Sequence, residues 1–179
     1  MTHEEMVALL RGGITQPGGT WADFGAGTGN FTASLRELLG AEAVIYAIDR
    51  DGRALERLQA RRTEDGRGSA YRVIQADFTT PLDLPPLDGV LLANALHFVR
   101  KPIVVLQRIA GYLRPGGRLL LVEYDVRMPR SYIPHPIAYG RFEKLAAQSG
   151  FVDVARVGER RSPSTGIVMY AGMATQKLR

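Results

Sequence analysis

The chain has 179 residues, 45% of them apolar and 23% charged, which fits one globular domain whose core needs no disulfide or metal to hold it. It has no cysteine and three histidines (His3, His97 and His135), which excludes thiolate metal sites, cysteine nucleophiles and a histidine-rich metal centre, so no metal is expected. Lys and Arg number 23 against 18 Asp and Glu, a balance of +5, but no run of like charge exceeds two residues, so the basic surface carries no nucleic-acid-binding tail.

In chain order, residues 2–11 are expected to form a short helix with Met6, Leu9 and Leu10 on one face. A turn at 16–19 leads to a first strand over 20–24 and a glycine loop. A helix over 30–39 carries Phe31, Leu35, Leu38 and Leu39 at helical spacing, and Gly40 closes it. The second strand, 43–48, ends at Asp49. Asp51 can cap a helix running to about residue 62, with Leu55 and Leu58 inward. The third strand, 71–75, ends near Asp77, and a proline-rich loop occupies 79–87. Residues 89–93 are uniformly apolar, as a central parallel strand should be. Pro102 starts a helix to 113, and a turn at 114–117 enters the fifth strand, 118–123. A loop over 124–136 and a helix over 137–148 follow. Strands at 152–159 and 167–175, joined by 160–166, can pair as an antiparallel hairpin. Short strands alternating with amphipathic helices predict an α/β fold with a parallel sheet. We expect a single domain over 1–179, with 1–19 a short N-terminal helix and turn and 20–179 the core.

The informative segment is Asp23-Phe24-Gly25-Ala26-Gly27-Thr28-Gly29, which leaves a strand and enters a helix. Glycines there let the chain turn sharply and let a ligand approach the backbone. The second strand ends in Asp49, 20 residues after Gly29, where an acidic side chain can accept from both ribose hydroxyls. A dinucleotide site would need a glycine at the sixth position from Gly25, and Asn30 stands there. The carboxylate of Asp23 would oppose a pyrophosphate but suits a ligand carrying an ammonium and a sulfonium.

On these residues the sequence resembles the class I S-adenosylmethionine-dependent methyltransferases. Four segments carry the resemblance: 23–29, Ile48-Asp49, Gln75-Ala76-Asp77-Phe78, and Leu113-Arg114-Pro115-Gly116-Gly117-Arg118-Leu119. It is closest to the small-molecule branch typified by ubiquinone/menaquinone biosynthesis enzymes. It implies a Rossmann-like seven-stranded mixed sheet of order 3-2-1-4-5-7-6, with strand 7 antiparallel and helices on both faces. It also implies S-adenosylmethionine as cofactor. Asp23, Gly25, Ala26, Gly27 and Gly29 would line its methionine part, Asp49 and Arg50 its ribose side, Asp77 and Phe78 its adenine, and Asn94 its sulfonium end.

On the acceptor side, Asn94-Ala95-Leu96-His97-Phe98 follows the fourth strand and lacks the Asn/Asp-Pro-Pro-aromatic run of adenine methyltransferases, which argues against a nucleic-acid substrate. His97 is a candidate general base and Tyr124 a second catalytic candidate; Tyr132, His135, Arg127 and Arg130 lie in the next loop. The expected reaction is in-line transfer of a methyl group to a carbon, oxygen or nitrogen of a small molecule. The alternatives are a non-catalytic S-adenosylmethionine-binding or partner protein and an NAD(P)-dependent oxidoreductase. The short cover over the acceptor side leaves room for completion by a second copy in a homodimer. No apolar run approaches the ~20 residues that span a bilayer. His3, Glu4 and Glu5 stand where a signal peptide would be basic and then apolar, so the expected location is the cytoplasm.

Overall fold

The computed structural model describes residues 1–64 and 71–178, the side chains of 61–64 excepted. Helix α1 (His3–Arg11) begins at a reciprocal cap. Thr2 Oγ1 accepts the Glu5 N–H at 3.2 Å, and Glu5 Oε2 accepts the Thr2 N–H at 2.8 Å. Two donors of the first turn are thereby satisfied. Leu9 and Leu10 on this helix are buried, each contributing roughly 1.5–3 kcal/mol.

The strands are β1 (Thr20–Phe24), β2 (Val44–Asp49), β3 (Tyr71–Gln75), β4 (Leu87–Ala93), β5 (Leu113–Tyr124), β6 (Phe151–Arg161) and β7 (Val168–Gln176). They form one seven-stranded sheet of order β3-β2-β1-β4-β5-β7-β6. The first five pair in parallel, and β7 runs antiparallel between β5 and β6. This is the mixed Rossmann-like sheet expected from the resemblance. The order reverses between β1 and β4, and in open α/β sheets that switch point opens a crevice beyond the carboxyl ends of the strands.

Alternation along the strands decides which helix covers which face. Ala22, Phe24, Val90, Leu92, Leu119 and Leu121 cluster with helices α4 (Pro102–Tyr112) and α5 (Tyr139–Gln148). Trp21, Ile45, Leu91, Leu120 and Val122 cluster with α1 and with α2 (Asn30–Leu39). Helix α3 (Gly52–Glu64) packs Leu55 and Leu58 against Ala47 on the same side.

Four boundaries differ from the sequence expectation. Strand β4 starts at Leu87, which pairs with Leu113, while Gly89 pairs with Arg118. Residues 114–117 therefore bulge out of β5 instead of forming a separate turn, pinned by Arg114 Nη1 donating to Asp88 Oδ1 at 2.6 Å. Helix α5 starts at Tyr139, not at residue 137, because the Ile137 carbonyl accepts from the buried Tyr170 hydroxyl at 2.8 Å and Asp125 Oδ1 takes the Tyr139 N–H at 3.0 Å. Strand β6 runs on to Arg161, so Arg160 lies in a strand and pairs with Met169.

Candidate functional site

The loop between β1 and α2 is hooked onto the end of β2. The Gly25 and Ala26 N–H groups both donate to the Ile48 carbonyl, at 2.8 and 3.0 Å. The Gly27 N–H donates to Asp49 Oδ2 at 2.8 Å, and the Asp51 N–H to Asp49 Oδ1 at 2.9 Å. Asp49 therefore braces the loop while keeping free lone pairs on both oxygens. Gly27 has φ +54°, and a Cβ there would meet no protein atom within 4 Å. Gly29, at φ +83°, is the residue before α2, and a Cβ on it would press on Leu58 at 2.7 Å. Gly29 thus serves helix packing, whereas the space over Gly27 is open cleft.

Two cavities lie beyond the strand ends and share Gly25 and Asn94 as walls. One, of about 570 Å³, is lined by Asp49, Arg50, Asp77, Phe78, Phe98 and Val99 among others. The other, of about 530 Å³, runs from Asp23, Ala26 and Gly27 to Tyr124, Arg160 and Met169.

Two buried oxygens at this junction have no partner among the described residues: Asp23 Oδ1 and Asn94 Oδ1. Asp23 takes the Thr32 hydroxyl on its other oxygen at 2.6 Å. Burial pushes its carboxyl up to about 7, with the Thr32 hydrogen bond opposing and the nearby Asp49 charge adding to the rise. Asn94 adopts φ +53°, in the left-handed region that costs a non-glycine residue on the order of 1–3 kcal/mol. On the other side, Asp77 Oδ1 accepts from the Thr79 N–H at 2.8 Å and hydroxyl at 2.7 Å, which hold its carboxyl below the usual range. Phe78 stacks on Phe24 with ring centres 5.9 Å apart.

His97 sits in a 3₁₀ turn, 96–98, and is 2% exposed. Its Nδ1 lies 2.6 Å from Glu123 Oε2, and Glu123 Oε1 accepts the His97 N–H at 3.1 Å. Glu123 is fully buried in β5. The pair ties the segment after Asn94 to β5. Tyr124 lines the 530 Å³ cavity, and its ring lies 6.2 Å from that of Tyr132, edge to face. Burial, and next the Tyr132 and Glu123 groups, raise the Tyr124 pKa, so its hydroxyl stays protonated at neutral pH.

The structure brings Asp23, Gly25, Ala26, Gly27, Asp49, Arg50, Asp77, Phe78, Asn94 and Tyr124 to the walls of the two cavities. Gly29 and His97 line neither cavity, and Arg127 lies with Asp125 and Arg156 at a third depression. His135 contributes its N–H to the His97 carbonyl at 3.0 Å, and Arg130 pairs with Ile133. Sequence reasoning missed Met6, Phe31, Arg160, Ser162, Thr165 and Met169 as cavity walls. No local motif marks them, because they converge from α1, α2 and the β6–β7 hairpin. Among the described residues no three His, Asp or Glu side chains are grouped to hold a metal ion, and no helix is long and apolar enough to cross a membrane.

Residues 22–121 match the model of a methyltransferase domain family. An O-methyltransferase of Penicillium expansum is 25% identical over 169 residues, which is 85% of this chain and 59% of that protein. A ubiquinone/menaquinone biosynthesis C-methyltransferase of Idiomarina loihiensis is 29% identical over 104 residues, 58% of this chain and 41% of that protein. The chain spans about half the length of the curated relatives it matches. The fold superposes on Burkholderia thailandensis 1,6-didemethyltoxoflavin-N1-methyltransferase, solved with 1,6-didemethyltoxoflavin and S-adenosylhomocysteine. There the TM-score is 0.75 at 21% identity, covering 98% of this chain and 78% of that one.

Proposed function

This chain belongs to the methyltransferase domain family and its cofactor is S-adenosylmethionine; on that premise we propose that it transfers the methyl group to a carbon, oxygen or nitrogen of a small-molecule acceptor. The observation that carries the reading is the pair of unpartnered buried oxygens, Asp23 Oδ1 and Asn94 Oδ1, on residues that wall one cleft. A buried polar group left unsatisfied costs about 1–3 kcal/mol, and an ammonium donor removes that cost for both. The open space over Gly27 supports the same fit. We read the chain as one such domain, in the small-molecule branch that includes the ubiquinone/menaquinone biosynthesis enzymes.

In this reading Asp23 and Asn94 hold the methionine end against the Gly25–Gly27 backbone. Asp49 accepts from the ribose hydroxyls with the lone pairs that Gly27 and Asp51 leave free. Asp77 and Phe78 flank the adenine, with Arg50 at its rim. The cofactor supplies a methyl group already activated by its sulfonium, so the chain's task is alignment and exclusion of water. The Tyr124 hydroxyl donates a hydrogen bond to the acceptor. His97, paired with Glu123, positions the strained turn that carries Asn94. Calorimetry with S-adenosylhomocysteine tests the reading: binding with one site per chain is expected. A folded chain that ignores S-adenosylhomocysteine would sink the proposal, as would one that methylates no member of a phenol, amine and enol panel.

A further inference from the structure

Tyr124 pairs with Met169 across β5 and β7, and Met169 pairs with Arg160 across β7 and β6. Directly paired residues share a sheet face, so the three side chains form one row on the α1 and α2 side. All three line the 530 Å³ cavity. Glu5 fixes the end of the row. Its Oε2 caps α1, while its Oε1 lies 3.1 Å from Arg160 Nε. That contact is an ion pair without hydrogen-bond geometry: Arg160 Nε is buried with no hydrogen-bond partner among the described residues, and the side chain is 22% exposed. A guanidinium fork that lines a cavity with a buried donor still unpaired matches the two oxygens of a carboxylate.

We propose that Arg160 recognises the carboxylate of an aromatic acceptor whose ring lies between Tyr124, Tyr132 and Met169. This rests on the methyltransferase reading above. Arg160 stands on β6, four strands from the Asp23 strand, which is roughly 19 Å at the usual strand spacing. That spacing is between backbones, and Arg160 and Asp23 wall one cavity, so the cofactor affinity of an Arg160 variant is what separates an acceptor carboxylate from the cofactor's own. From Asn94 on β4 the distance is three spacings, roughly 14 Å. The proposed acceptor is an arene that carries its carboxylate on a side chain or a second ring, away from its methyl-accepting atom. The rings of Tyr124 and Tyr132 form the corner that receives its face.

The test uses the chain saturated with S-adenosylhomocysteine and two probes, para-coumarate and a hydroxybiphenyl carboxylate, each beside its neutral primary amide. At least one acid should bind about tenfold or more tightly than its amide. Arg160→Gln should abolish that preference while leaving S-adenosylhomocysteine affinity and the melting temperature unchanged. Arg160→Lys, which keeps the charge without the fork, should restore part of it. Failure of both acids to outbind their amides, or a preference that survives Arg160→Gln, overturns the proposal. A loss of S-adenosylhomocysteine affinity in Arg160→Gln also overturns it, because the fork would then hold the cofactor. A wild-type chain that binds no S-adenosylhomocysteine instead defeats the cofactor reading, and that result is seen before any acid is added.

Discussion

The two ends of the cleft are built in opposite ways. The end proposed to hold the cofactor is made of short contiguous segments at the carboxyl tips of β1, β2, β3 and β4, and its glycine loop is tied down through backbone groups. The Gly25, Ala26 and Gly27 N–H groups all bond to the tip of β2. The end proposed to hold the acceptor is made of side chains from α1, α2, the loop after β5 and the β6–β7 hairpin. Backbone at a sheet's switch point is set by the fold, so one ligand can be served by many sequences. Side chains gathered from distant segments can change singly without disturbing the sheet. The first end is therefore suited to a shared cofactor and the second to a particular acceptor.

The contrast is sharpest at Gly27. Gly27→Val puts a branched side chain where the backbone is left-handed and the cleft is open. S-adenosylhomocysteine binding should fall at least a thousandfold, about 4 kcal/mol, with the sheet retained. Thermal melts with and without ligand check this: the ligand-induced shift should vanish. A full shift in the variant would show that the loop does not hold the cofactor.

His97 separates positioning from acid–base chemistry. His97→Ala strands the buried Glu123 and should cost about 3 kcal/mol of stability. A role as a solvent-facing base would instead leave stability intact and lower turnover. Denaturant unfolding of the variant decides between them.

Asp49→Ala should weaken S-adenosylhomocysteine binding by about 1.5–3 kcal/mol, through lost bonds to the ribose and a loosened Gly27. Unchanged calorimetric affinity in the folded variant would leave Asp49 as a loop brace only.

The smallest effect is one of pH. The Asp23 carboxyl, ordinarily near 3.8, is raised to about 7. Between those values the folded chain holds a proton that the unfolded chain has released. Asp23 therefore subtracts stability as pH rises from about 4 to about 7, and the loss is complete above that. An ammonium favours the ionised form, so binding expels the proton below pH 7. Affinity for S-adenosylhomocysteine should rise about tenfold from pH 6 to pH 8, and Asp23→Asn should flatten the profile. A flat wild-type profile would detach Asp23 from the ligand.

Much of the fold was legible because local chemistry and global topology agree. Strand β1 and helix α2 begin and end where apolar spacing and glycines put them. The misread boundaries depended on long-range contacts: Leu87 meeting Leu113, Ile137 held by Tyr170, and Arg160 paired with Met169. Asp23, Gly27, Asp49 and Asp77 were legible as cleft-lining candidates because their place at or just beyond strand ends puts them there. Gly29 looked like its neighbours, and only the fold shows that a Cβ on it would press on Leu58 of α3 while one on Gly27 would meet open space.

By itself the sequence determined a parallel α/β sheet, its glycine loop and the carboxylates at its strand tips, since period-two alternation and turn chemistry act within a few residues. Tertiary structure alone decided that His97 is buried against Glu123, that Asp23 and Asn94 each keep an unpartnered oxygen, and that Glu5, Arg160, Met169 and Tyr124 meet along one wall. Burial and partnership are properties of what the rest of the chain brings alongside a residue. Glu5 and Arg160 lie at opposite ends of the chain, and only the assembled sheet, with α1 laid across β6, brings them together.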